Sequence, residues 1–156
     1  TKAFLRVGDN DGNKQYRAVL SFDTALLPDN AVLKRAVIKV KRMSSAGTNP
    51  FTTHGSLVAD VVKGWFDGSS ALEGKDFQAA ATTNKAGIFS AANGDGEWSV
   101  AELTSSELGA INLAGKTQFR LRFTTDDNND KGADYLNYAS GNEADSSAWP
   151  VLKVEY

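Results

Sequence analysis

The sequence predicts an all-β protein, an antiparallel β-sandwich or barrel with long polar loops and at most short helical turns. Three observations carry that expectation. Apolar residues recur with period two in segment after segment, and clusters of Gly, Asn, Asp, Ser and Pro separate those segments. Sustained helical periodicity is scarce.

Taken in order, Phe4–Val7 opens the chain as a short strand. In "YRAVLSFD", Tyr16, Ala18, Leu20 and Phe22 share one face, opposed by Arg17, Val19, Ser21 and Asp23. In "LKRAVIKVKRM", Ala36, Ile38 and Val40 oppose Arg35, Val37, Lys39 and Lys41. Strands are further expected at Ser56–Val62, Gly96–Val100 and Tyr135–Ala139. "TQFRLRFTT" sets Phe119, Leu121 and Phe123 against Arg120 and Arg122, and "PVLKVEY" sets Leu152, Val154 and Tyr156 against Lys153 and Glu155. Such segments read as half-buried antiparallel strands. The intervening "GDNDGN", "LLPDNA", "SSAGTNP", "FDGSS", "AANGDGE", "DDNNDKGAD" and "SGNEADSSAWP" are turn formers. "LEGKDFQAAATTNK" has room for a helical turn or two. "VAELTSSELGAI" has room for a short helix starting near Ser105 or Ser106.

A length of 156 residues fits one domain, residues 1–156, with a real core. A net charge of −2 argues against a strongly basic nucleic-acid binder, and no apolar run approaches a bilayer span. The absence of cysteine removes disulfides, thiolate metal sites and cysteine nucleophiles. His54 is the only histidine and stands in "NPFTTHGSL" without a nucleophile motif, and no phosphate-loop pattern occurs. The expectation is therefore a non-enzyme with no catalytic residue.

Two acidic loops carry hard oxygen ligands. Asp9, Asp11 and Asn13 alternate in the first; Asp126, Asp127 and Asp130 stand in the second. Alternating oxygens suit calcium. Neither loop follows the EF-hand order: Lys14 and Lys131 occupy the sixth positions, Leu20 and Asn137 the twelfth. Asp, Asn and Gly equally build plain hairpin turns, so the reading divides between turn formation and a structural calcium.

Basic residues alternate on two strands: Lys39 with Lys41, and Arg120 with Arg122, with Arg17 as a further candidate. If those strands share a sheet, the side chains stack into a positive strip suited to carboxylates. Otherwise they are solvent-facing residues that discourage edge association. Trp65, Trp98 and Tyr135 stand near loops, where aromatic rings serve either as packing residues or as platforms for the apolar faces of sugars.

Three segments together resemble the DNRLRE-type β-sandwich domains. "LRVGDNDGNKQYRAVLSFDTALLPDNAVLKRAVIKVK" is similar to their "L-x-V … R-x-x-L-x-F-D … L-P … A-x-I-x-x-A-x-L-x-L" core, and "VADVVKGWFDG" to a strand followed by Trp and an acid. The closing "F-x-L … (F/Y)-x-S-x-E … P-x-L-x-V-x-Y" is matched through Tyr138, Ser140, Glu143, Pro150, Leu152, Val154 and Tyr156. Trp149 stands where such domains commonly carry an Arg before the Pro. The resemblance implies a jelly-roll-like sandwich, an extracellular setting, frequent calcium, and a relation to carbohydrate-binding modules on alginate lyases and other polysaccharide-degrading enzymes.

The expected function is a non-catalytic carbohydrate-binding module that targets a parent protein to a polysaccharide, with an acidic, alginate-like one favoured. Its partners would be the polysaccharide and the catalytic or surface-anchoring domains of the same parent chain, with neither nucleic acid nor membrane. The alternative is a structural or adhesive sandwich of a cell-surface or extracellular protein.

Overall fold

A computed structural model describes residues 4–156. Two antiparallel sheets face one another across the core. The larger contains β1 (Phe4–Asp9), β2 (Gln15–Tyr16), β4 (Arg35–Ala46), β7 (Trp98–Leu103), β9 (Tyr135–Ala139) and β10 (Val151–Glu155). The smaller runs in the order β3 (Ala18–Asp23), β8 (Lys116–Phe123), β5 (Leu57–Lys63), β6 (Thr83–Ile88). The expected all-β sandwich is the observed architecture.

Period two places the core. Val7, Ile38, Val40, Leu136 and Tyr138 of the larger sheet are fully buried against Leu57, Ala59, Val61, Phe119, Leu121 and Phe123 of the smaller. The long β4 organises its sheet. Residues 35–39 pair with β10, 36–41 with β7 on the opposite flank, and 42–46 with β9. A register shift between Arg42 and Ser44 lets one strand serve so many neighbours, because a bulge bends a strand without ending it.

The expected strand from Tyr16 to Asp23 divides at Arg17. Tyr16 pairs with Gly8 in the larger sheet, whereas Ala18 pairs with Leu121 in the smaller. One segment thus changes sheets at a single residue, as strands do at sandwich corners.

Helical content differs in detail from the expectation. The 72–85 segment holds one 3-10 turn, Gly74–Phe77, closed by a capping box between Glu73 and Asp76, and then enters β6. The 100–111 segment begins as the end of β7, turns after Leu103 and holds one 3-10 turn at Leu108–Ala110. The one α-helical turn among the described residues, α1 (Pro50–Thr53), starts where Asn49 caps the Phe51 amide and Pro50 supplies its fixed φ. β6 lacks a period-two signature because it is an irregular edge: its register shifts beside Ala59, and Lys85 adopts a φ of 54°.

Candidate functional site

The basic residues of β8 belong to a buried network. Asp60, fully buried on β5, stands opposite Arg120 across the sheet. Its Oδ2 accepts from Arg120 Nη2 at 2.9 Å and from Arg122 Nε at 2.8 Å, while Oδ1 accepts from Arg122 Nη2 and the Lys85 amide, both at 3.1 Å. Arg120 Nη1 also donates to the Asp76 and Ala79 carbonyls, and its guanidinium lies 4.6 Å from the Phe66 ring centroid. The 64–82 segment therefore crosses the outer face of the smaller sheet and seals these charges beneath it. Arg17 joins the seal, stacked 4.1 Å over Phe77 and 3.6 Å from Asp126. Trp65, half-buried, leads the same segment into its first 3-10 turn.

For Asp60, burial is the largest influence and alone would raise its pKa. The donors from Arg122, the Lys85 amide and Arg120 together outweigh it, and the carboxyl is held below the usual aspartate value. The same donors that stabilise the carboxylate occupy both of its oxygens.

Lys39 and Lys41 stand on the other sheet, so the four strand cations form no continuous strip. They meet Trp98 instead. Lys41 is directly opposite Trp98 in the β4–β7 register, and Lys39 Nζ lies 4.8 Å over the indole. All three side chains are half-buried, with the exposed Val151 opposite Lys39 on β10.

Farther along this outer face, Arg6 extends the polar surface. Its guanidinium lies 4.1 Å from the Tyr135 centroid and 5.1 Å from that of Tyr16, two rings packed edge to face. Arg6 Nε donates to Asn137 Oδ1 at 3.0 Å, and Asn137 Nδ2 to Ser44 Oγ at 2.9 Å. A polar ladder so crosses β1, β9 and β4. Arg6, Tyr16 and Asn137 were not singled out from sequence, because a ladder across three strands leaves no contiguous motif. Chemically, this face offers one Trp with an ammonium group over its ring and a second lysine opposite it in register, and one Arg flanked by two tyrosines.

The two acidic loops, more than a hundred residues apart in sequence, are zipped together. The Asp9 amide donates to the Asp134 carbonyl at 2.9 Å, the Asp134 amide returns to Asp9 Oδ1 at 3.1 Å, and the Lys131 amide donates to Asn13 Oδ1 at 3.1 Å. Gly8 and Gly47 make this approach sterically available. Both have positive φ, and a Cβ would stand 2.1 Å from the Asp134 carbonyl oxygen at Gly8 or 2.0 Å from that of Ala133 at Gly47.

Asp127 and Asp130 accept from amides two residues onward, Asp11 is exposed, and Asp126 faces Arg17. Among the described residues, no three His, Cys, Asp or Glu side chains gather as a metal site. His54 is fully buried behind this junction. Its Nε2 lies 3.1 Å from Asp9 Oδ2, an ion-pair distance without hydrogen-bond alignment, and its Nδ1 lies 2.7 Å from Thr53 Oγ1.

No known protein-family model matches the chain, and comparison with curated protein sequences likewise finds no match.

Proposed function

We propose that the chain is a non-catalytic carbohydrate-binding module that holds a parent extracellular protein on an acidic, alginate-like polysaccharide. The observation that carries the reading is the Lys39–Trp98–Lys41 group on the outer face of the larger sheet. An indole offers an apolar plane to a pyranose ring, and the Lys39 ammonium that lies over it, with Lys41 opposite on the neighbouring strand, supplies charge for uronate carboxylates. The Tyr16–Arg6–Tyr135 group lies on the same face, where a polymer can make a second contact. The resemblance to DNRLRE-type domains supports the same reading.

Affinity electrophoresis on gels containing alginate, pectin, cellulose or xylan tests it. Retardation by alginate or pectin that weakens with salt is the expected result, since exposed charge pairs are screened. Trp98→Ala is expected to weaken binding by about tenfold or more. Migration unaffected by any of the four polymers overturns the proposal.

A structural or adhesive module is the second reading. It is favoured by the internal use of Arg120 and Arg122, whose charges are committed to Asp60 rather than to solvent. Under that reading the domain is a spacer, and the gels show no retardation.

A further inference from the structure

The sandwich is closed along one lateral side and open along the other. On the closed side, β6 runs into β7: the Ser90 amide donates to the Val100 carbonyl, and the Val100 amide returns to Ser90 Oγ. On the open side, β1 and β3 diverge, because the chain changes sheets at Arg17. Gly8 and Asp9 pair with β2, but among the described residues Phe4–Val7 pair with β9 alone, and the whole of β3 pairs with β8 alone. Two strand edges, one from each sheet and neither paired among the described residues, thus face a common gap.

A cavity of about 840 Å³ fills that gap. Consecutive residues of β3 line it, from inward-facing Leu20 and Phe22 to outward-facing Val19 and Ser21, as do Phe4, Leu5 and Arg6 of β1. A cleft lined by both faces of a strand runs along that strand's edge. The floor is apolar, and the rim carries the exposed side chains of Phe4, Leu72 and Trp149. β3 has no Lys, Pro or bulge to blunt its edge.

Charge narrows the occupant. Arg6 and Arg17 line the cleft, and no carboxylate does so among the described residues. Arg17 is engaged by Asp126, whereas Arg6 has no acidic partner among the described residues and bonds to the neutral Asn137. A sugar does not answer two rows of unpaired backbone amides and carbonyls; an extended polypeptide does. At about 3.3 Å per residue, the six residues of β3 span roughly 20 Å, room for an added strand of similar length.

We propose that this cleft is an acceptor groove for an extended segment of another protein. The segment pairs its backbone with a free edge, buries apolar side chains at alternate positions, and places a carboxylate against Arg6.

The test uses a fluorescein-labelled heptapeptide, Asp-Val-Thr-Val-Ser-Val-Thr, its central-proline version and its Asn-for-Asp version, with the full chain. Anisotropy is expected to rise with the first peptide. Proline is expected to weaken binding about tenfold or more by removing a ladder donor. Replacing Asp by Asn, or Arg6 by Gln in the protein, is expected to weaken it several-fold, the two changes together no more than either alone. Bound peptide is expected to slow amide exchange at Phe4–Val7 or Ala18–Phe22. No binding up to about 1 mM peptide, equal binding of the proline version, or exchange protection elsewhere overturns the proposal. Concentration-dependent dimerisation that protects these same amides assigns the groove to a second copy and also overturns it.

Discussion

Asp60 and Arg120 meet at 2.9 Å, both buried, on a sheet face that sequence alternation marks as solvent-facing. Their burial comes from the 64–82 segment, whose carbonyls at Asp76 and Ala79 complete the coordination of Arg120. Removing one partner of such a pair leaves a charge with little water to take its place. Asp60→Asn is therefore expected to destabilise the fold by about 3–5 kcal/mol, measured by urea unfolding. A loss under about 1 kcal/mol would show the cover to be open to water.

Acid should reveal the same carboxylate. Its folded pKa is depressed, so its contribution is complete above the unfolded aspartate value, about 3.9, and is lost as pH falls through the folded value. The urea midpoint is expected to fall progressively below about pH 4, with a shallower fall in Asp60→Asn. Parallel pH profiles for the two proteins would remove Asp60 as the source.

Tyr138 carries the opposite signature at high pH. Burial pushes its phenol up to about 12, against smaller opposing effects of the Ser99 hydrogen bond and the charge of Arg42. A raised pKa means that stability is complete below the unfolded value, about 10, and is lost as pH rises towards 12. Absorbance at the tyrosinate band is expected to show a late phase from Tyr138, and that phase is expected to vanish in Tyr138→Phe.

Stability and polysaccharide binding should separate by sheet. Lys39→Gln with Lys41→Gln is expected to weaken retardation by alginate while moving the melting temperature little, because these side chains are half-buried on the larger sheet. Arg122→Gln is expected to do the reverse, lowering the melting temperature through Asp60 and leaving retardation intact. Electrophoresis and thermal melts on the same samples check both; a melting loss for the lysine pair would contradict the assignment.

The acidic loops are joined by their own amides, through Asp9 with Asp134 and Asn13 with Lys131. A melting temperature unchanged between calcium and chelator is expected. A rise of several degrees with calcium would assign the loops to a cation instead. Gly47→Ala is expected to lower the melting temperature in either condition, because its Cβ would meet the Ala133 carbonyl oxygen at 2.0 Å.

Much of the fold was legible from sequence. The strands around Leu20, Ile38, Phe119 and Val154 appear where alternation places them, and the turn clusters separate them. β6 was not legible: its "TNKAGI" has no alternating apolar set, and its place comes from backbone pairing with β5, interrupted by a register shift where the Lys85 amide donates to the Asp60 side chain. The break at Arg17 was hidden too, because Tyr16, Ala18, Leu20 and Phe22 keep one alternation across the change of sheet. Among the candidate ligand residues, Lys39, Lys41 and Trp98 come together, Tyr135 lies farther along the same outer face, and Trp65 stands at the start of the segment that covers the arginines.

The sequence by itself determined which face of each regularly alternating strand meets the core, because a strand's side chains alternate whatever its neighbours are; Tyr16, in step with Ala18, Leu20 and Phe22, nonetheless lies on the outer face. It could not determine which strands are neighbours. That was decided only in the tertiary structure, where β8 lies beside β5 and β4 beside β7. Pairing across long loops sets Arg120 against Asp60 beneath the 64–82 segment and leaves Lys39 beside Trp98. An isolated strand carries the same alternating charges in either case, and only the partner strand and the covering loop set their dielectric surroundings.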